Sequence, residues 1–333
     1  MQGTIKDVAK IAGVSPSTVS RVISNSSKIS ESTKQKVYLA MKEVGYKPNI
    51  IARSLANKST KTLGLILPDT DNHQNINPFF VQLMRGISFY AQKRGYYILY
   101  AYCTSEQNKK RVVEDLVDSR WVDGIILSTL EQSDQSIQFL EQVEKPFVVV
   151  GRPDLSEHVL WVDNDNFHIM YNVVSQLIRE GNQKIGFLGG PQGFTVTKDR
   201  LEGYKKALES RGIEYDGNLV RFSEYDECKG CEACREILKS KDLDALVTTD
   251  DLLAFGALKA SQESNYPVNV VGFNNTVLAD YVTPSLSSVD IKADQLGHYA
   301  AKLLIDHLEN NQTQIKNYIV DAAFVDREST HIR

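Results

Sequence analysis

The chain of 333 residues contains no apolar run near the roughly eighteen residues that a membrane-spanning helix needs, and its N-terminus enters a helical pattern at once instead of a secretory leader. No membrane partner is expected, and the expected compartment is the cytoplasm. A sugar-binding transport receptor would need an export signal, so that reading is disfavoured. Catalytic motifs are missing too: there is no G-x-x-x-x-G-K-S/T phosphate loop, no H-E-x-x-H, no G-x-S-x-G and no strand-to-helix G-x-G-x-x-G. The six histidines are scattered. Asp250 and Asp251 are adjacent carboxylates, but neighbours in a strand-to-helix turn rarely converge on one substrate atom, so an enzyme of sugar metabolism is also disfavoured. Cysteine is scarce, limited to Cys103, Cys228, Cys231 and Cys234. The last three form C-x2-C-x2-C, yet metal and cluster sites usually need a fourth ligand and none is nearby. The same run reads as a helix start in which Cys231 and Cys234 are half-buried small residues. No cofactor and no metal are expected.

What is present is a globular composition, 42% hydrophobic and 24% charged, on a chain long enough for two or three domains. Charge is sorted along it. Residues 1–61 hold eleven Lys or Arg against Asp7, Glu31 and Glu43, a net +8; the whole chain carries −4, so the remainder carries −12. A basic head on an acidic body is the electrostatic footprint of a DNA-binding segment.

Residues 4–24, TIKDVAKIAGVSPSTVSRVIS, read as two short helices joined by a tight turn. Thr4 caps the first with Asp7 three residues on, Val8 and Ala12 share a face, and Gly13 ends the helix. Ser15 caps the second, and Pro16 takes its first position, where a missing N–H costs nothing. Val19 and Val22 should face inward while Ser17, Thr18, Ser20 and Arg21 face outward. Short hydroxyls allow close approach to a groove, and one arginine reaches phosphate or guanine. A third helix runs from the Ser30 cap to Val44, with Gly45 and Pro48 ending it.

From residue 62 the pattern changes to short β-rich runs alternating with helical stretches: TLGLILP, YYILYAYC, VDGIILST and FVVVG, then KIGFLGGP, ALVTTD and NVVGF. Two such series imply two α/β lobes built on parallel sheets, with a ligand expected at the carboxyl ends of the strands. SLSSVDI and YIVDAAFVDREST read as late strands that return the chain across the lobes.

The motif TIKDVAKIAGVSPSTVSRVI closely resembles the N-terminal motif of the lac repressor and galactose repressor (LacI/GalR) family, and further matches follow along nearly the whole chain. The resemblance implies an all-α helix-turn-helix head plus an α/β core of two Rossmann-like lobes of the periplasmic-binding-protein type. The implied modules are a head (1–48), a hinge helix or linker (49–61), an N-lobe (62–161 and 292–321) and a C-lobe (162–291 and 322–333). It implies a sequence-specific transcriptional repressor on the bacterial nucleoid, a homodimer reading a palindromic double-stranded operator. The chain lacks the leucine-heptad tail of a tetramer, which favours the dimer. Ser15, Pro16, Ser17, Thr18 and Arg21 should read the major groove, with Thr4, Lys6, Asn25 and Lys28 on the backbone. Leu55 matches the family's minor-groove wedge.

By the same resemblance the cleft is lined by Asp69, by Phe79 and Phe80 of N-P-F-F, by Arg200 of R-x-x-G-Y, and by Asp250. Asp163 belongs to WVDND, and Trp161 points to the same side of that strand. Asn274 stands where many relatives carry the first aspartate of G-F-D-D. That departure argues against a cationic or strongly donor-rich ligand. Each has a plain alternative: Phe79 and Phe80 as core, Asp250 as a helix cap, Arg200 paired with a neighbouring acid. Mixed Asp, Asn and Arg with aromatic rings is sugar-binding chemistry, although a purine could stack there too. NINPFF, GRP at 151–153 and WVDND look most like maltose-operon repressors, which implies maltose or a maltodextrin as the effector. Some members use a phosphorylated protein as corepressor, and that partner stays open.

Overall fold

The computed structural model of the protein describes residues 3–24, 26, 28–47, 59–68, 77–129, 131, 134–153, 158–239, 242–310 and 314–332. The chain divides into two compact units, Met1–Thr62 with Arg120–Val122, and Leu63–Ser119 with Asp123–Arg333.

In the first unit, α1 (Ile5–Ala12), α2 (Pro16–Ile23) and α3 (Glu31–Glu43) form a three-helix head. Thr4 and Asp7 make a reciprocal capping box, the Asp7 carboxylate accepting from the Thr4 amide at 2.8 Å. Gly13 ends α1 in the left-handed region at φ +66°, which glycine adopts without a Cβ penalty. Ser15 accepts from the Thr18 amide at 3.1 Å with Pro16 first in α2, and Ser30 caps α3. Val8, Ala9, Val19, Val22, Val37 and Ala40 are buried together. With the valines of α2 turned inward, Ser17, Ser20 and Arg21 are exposed and Thr18 is half-buried.

In the second unit the alternation read from the sequence becomes strand and helix in turn. The order is β1 (Thr62–Pro68), α4 (Pro78–Lys93), β2 (Tyr97–Cys103), α5 (Glu106–Asp118), β3 (Gly124–Leu127), α6 (Gln135–Gln142), β4 (Phe147–Val150) and β5 (Leu160–Asp163). The chain continues through α7 (Asn166–Arg179), β6 (Ile185–Gly189), α8 (Thr195–Ser210), β7 (Val220–Phe222), α9 (Glu227–Leu238), β8 (Ala245–Thr248), α10 (Asp251–Glu263), β9 (Asn269–Phe273) and β10 (Ser287–Asp290). It ends with α11 (Ala293–Asn310), β11 (Asn317–Ile319) and β12 (Ala323–Val325).

Among the described residues these strands form two six-stranded sheets, ordered β11-β5-β4-β3-β1-β2 and β12-β10-β9-β8-β6-β7. The ladders joining β1, β3, β4, β5 and β11 are parallel, as are those joining β7, β6, β8, β9 and β10; β12 pairs antiparallel with β10. Strands β3, β4, β6, β8 and β9 are buried along their whole length, which is why they read as unbroken apolar runs. Helix α11 lies against α4 so closely that a Cβ on Gly86 would sit 1.9 Å from the Asp294 carbonyl oxygen, and one on Gly297 2.2 Å from that of Leu83.

The chain passes between the sheets three times, after β5, β10 and β11. One side chain joins the three passages: Asn164 Nδ2 donates to the carbonyls of Ile291 (3.0 Å) and Val320 (2.8 Å), while the Val320 amide donates to the Asp163 carbonyl at 2.8 Å. Among the described residues no helix is long and apolar enough to cross a membrane.

Candidate functional site

The carboxyl ends of the strands of both sheets open onto a cavity of about 570 Å³, inside the range of roughly 300–1,000 Å³ typical of small-molecule sites. Asp163 and Asn164 reach it from the end of β5, Asp250 from beyond β8, Asn274 from beyond β9, Arg200 from α8, and Asn77, Phe79 and Phe80 from the start of α4.

The polar groups here are held by hydrogen bonds, and all but the half-buried Asn77 are buried. Asp163 accepts from the amides of Asn164 (2.8 Å) and Arg152 (2.9 Å) and from Asn166 Nδ2 (2.9 Å). Burial nonetheless pushes its carboxyl up to about 6. Arg200, 4% exposed, donates through Nε to Asn166 Oδ1 (2.9 Å) and through Nη1 to the Thr249 carbonyl (2.6 Å), with its guanidinium 4.1 Å from the Phe273 ring centre. Burial lowers its pKa, while Tyr225, Asp163 and Asp250 nearby favour the cation.

Asp250 does both things that its position allows. One oxygen caps α10 by accepting from the Leu252 amide at 2.7 Å; the other accepts from Asn77 Nδ2 and Asn274 Nδ2, each at 2.7 Å. Burial raises it to about 6. Asn77 also caps α4, accepting from the Phe79 amide at 3.0 Å, so one side chain ties the first helix of the N-terminal sheet to a carboxylate beside the C-terminal sheet. Asn274 holds φ +102°, a region where asparagine is one of the more tolerated non-glycine residues.

Trp161 does not line the cavity. It shares a strand face with Asp163 but lies two residues back on β5, roughly 6.6 Å along the strand. The Arg152 guanidinium covers its ring at 5.6 Å. Asp251 is turned inward, accepting from the Thr276 amide (2.7 Å) and Ser288 Oγ (2.6 Å), and burial pushes it up to about 7. Phe79 and Phe80 line the cavity edge to face, 5.0 Å between centres. Asp69, Asn25 and Leu55 lie outside the described residues.

Sequence reasoning missed several lining residues. Phe194 and Tyr225 supply rings on the C-terminal side, Tyr225 packed so closely over Gly190 that a Cβ there would meet its ring at 2.2 Å. Glu106 and Lys109 line the other side, Lys109 in a buried ion pair with Asp134. The available signal was position, because Glu106 and Lys109 lie in the first turn of the helix that follows β2 and Tyr225 lies in the loop after β7. Glu131 pairs its backbone with that of Phe194 in an antiparallel bridge, joining the two sides at the rim.

The cysteine run takes the plainer course. Cys231 and Cys234 are buried in the cluster that includes Leu253, Ala254 and Ala257 of α10, and burial raises Cys234 to about 12. Cys228 is exposed. Among the described residues no group of three His, Cys, Asp or Glu is arranged to hold a metal ion. In the head, Thr4, Lys6, Ser15, Pro16, Ser17, Arg21 and Lys28 are exposed, and the half-buried Thr18 hydroxyl lies 2.9 Å from that of Ser15.

Residues 4–49 match the description "Bacterial regulatory proteins, lacI family", and residues 174–330 match "Periplasmic binding protein-like domain". The chain is 37% identical over 317 residues to the HTH-type transcriptional regulator MalR of Streptococcus pneumoniae, covering 94% of each. Among solved structures it is similar to the complex of transcriptional regulator CelR with cellobiose, at 30% identity and TM-score 0.77 over 98% of this chain and 99% of that one. It shares the fold of the lac repressor dimer bound to operator and the anti-inducer ONPF, at 24% identity and TM-score 0.85 over 99% of each. A capped helix-turn-helix head, a two-sheet core with a polar cleft and these full-length similarities agree, and this chain belongs to the lacI family of bacterial DNA-binding transcriptional regulators.

Proposed function

We propose that this regulator is a homodimeric repressor that holds a palindromic operator through two heads and releases it when a sugar, maltose or a maltodextrin, fills the cleft. The observation that carries the sugar reading is the composition of the cavity. Buried Asp163, Arg200, Asp250 and Asn274 offer planar acceptors and donors for neighbouring hydroxyls, beside Phe79, Phe80, Phe194 and Tyr225, whose faces can cover the C–H face of a sugar ring. The similarity to MalR and to a regulator crystallised with cellobiose supports a saccharide.

In this reading Ser15, Pro16, Ser17, Thr18 and Arg21 meet the major groove, and Thr4, Lys6, Asn25 and Lys28 meet phosphates. Leu55, within a hinge at 49–61, wedges the minor groove. One small basic module makes few contacts, whereas a symmetric pair reads both halves of a palindrome. The effector works by linkage. Sugar hydroxyls compete for Asp250, the lobes re-angle about the three passages joined by Asn164, and the paired hinges lose their bound arrangement. The coupling is expected at about 1–3 kcal/mol.

Calorimetric titration with maltose, maltotriose, glucose and a purine, repeated with a palindromic duplex, tests this. A saturable saccharide that weakens the DNA complex is the expected result, and Arg200→Ala should abolish that response while keeping operator affinity. Tight purine binding with no saccharide response would replace the sugar reading.

A further inference from the structure

The cavity has a second polar set that the buried Asp163–Arg200–Asp250 group does not account for. Lys109 and Asp134 are 5% and 4% exposed, and Lys109 lines the cavity together with Glu106. In the N-terminal sheet Asp163 ends β5, Asp134 follows β3 and Glu106 follows β2. The second set therefore stands two to four strand spacings from Asp163, on the order of 10–20 Å. A ligand touching both ends must be longer than one ring.

The cluster has one acceptor left over. Glu106 Oε1 accepts from the Gln135 amide at 3.1 Å, but Oε2 is buried 3.6 Å from Lys109 Nζ and takes part in no hydrogen bond. Glu106 lines the cavity, and a small turn of its carboxyl would offer this oxygen, ion-paired but without a hydrogen bond, to a donor from a ligand. That donor should be uncharged. Lys109 is already held by Asp134 and Glu106, and the carboxylates of Glu131 and Glu224 also line the cavity. An entering phosphate would meet these carboxylates, with Lys109 already paired.

We infer that Glu106, held by Lys109 and Asp134, forms a second subsite that takes a hydroxyl of the far ring of a neutral saccharide of two or more rings and turns away phosphorylated sugars. This rests on the sugar reading above. The test is calorimetry on the full-length protein with glucose, maltose, maltotriose and glucose 6-phosphate, comparing wild type with Glu106→Ala and Glu106→Gln. Loss of one hydrogen bond to a charged group predicts about tenfold weaker maltose and maltotriose binding in Glu106→Ala. Glucose should stay within about twofold of its wild-type affinity, whatever that is, and operator affinity should be unchanged. Glucose 6-phosphate should bind more weakly than glucose. Saccharide affinities unaltered in both variants, an equal loss for glucose and maltose, or a preference for the phosphorylated sugar would overturn the subsite. If the wild type binds no saccharide at all, the sugar reading itself falls, a result that the variants cannot mimic.

Discussion

Asp163, Asp250 and Asp251 accept at least two hydrogen bonds each, yet burial holds the first two at about 6 and the third at about 7. Their unfolded counterparts ionise near 3.9. The folded core therefore binds more protons than the unfolded chain between these values, and the cost of the buried charges is relieved as pH falls through 7 towards 4. Carboxyls held low by their partners, such as Asp306 by Lys302 and Arg94 despite partial burial, lose their contribution only below about pH 4. His298, lowered by burial, works in the opposite direction. The thermal midpoint of the ligand-free protein should thus rise between pH 7.5 and pH 5.5, and Asp251→Asn should flatten that rise. A midpoint that falls steadily over this interval would show that these carboxyls titrate normally. The same residues show how far single positions were legible. Asp250 posed a choice between helix cap and cleft residue because strand-end position serves both, and its two oxygens divide the tasks. Trp161 shares a strand face with Asp163 yet does not line the cavity, an outcome that face periodicity alone does not decide.

At the scale of elements, the head was legible almost residue by residue, because capping, a left-handed glycine and a valine stripe act within one or two turns. The passages between lobes were legible only as late strands. Their mutual contact depends on Asn164, whose amide donates to carbonyls 127 and 156 residues away. Asn164→Leu keeps roughly the side-chain volume and removes both donors, leaving two buried carbonyls unsatisfied at about 1–3 kcal/mol each. Urea unfolding should show a loss of that size in the core, and the operator response to sugar should shrink with it. An unchanged unfolding free energy would mean that water replaces the amide and that Asn164 does not set the hinge.

At the scale of the molecule, the sorting of +8 into residues 1–61 and −12 into the rest divides the two binding activities by their salt dependence. Operator affinity should fall steeply with salt, by a slope of about 0.9 per phosphate contacted, and Lys6→Ala or Lys28→Ala should each lower that slope by about one contact. Cleft affinity for an uncharged sugar should hardly move over the same range. Leu55→Ala should weaken operator binding far more than binding to random DNA, which gel-shift competition would measure; equal losses would remove the minor-groove wedge.

The amino-acid sequence by itself determined the parts whose physics is local: three capped helices in a basic head, and an alternation of strands and helices that closes into two mostly parallel sheets. Tertiary structure alone decided the composition of the cleft. Asn77 and Asp250, Arg200 and Thr249, Lys109 and Asp134 meet across 173, 49 and 25 residues of chain. No local propensity encodes such pairings. They follow from the order of strands in the sheets, which brings distant strand ends to one edge, and from burial, which requires every charge placed there to find a partner.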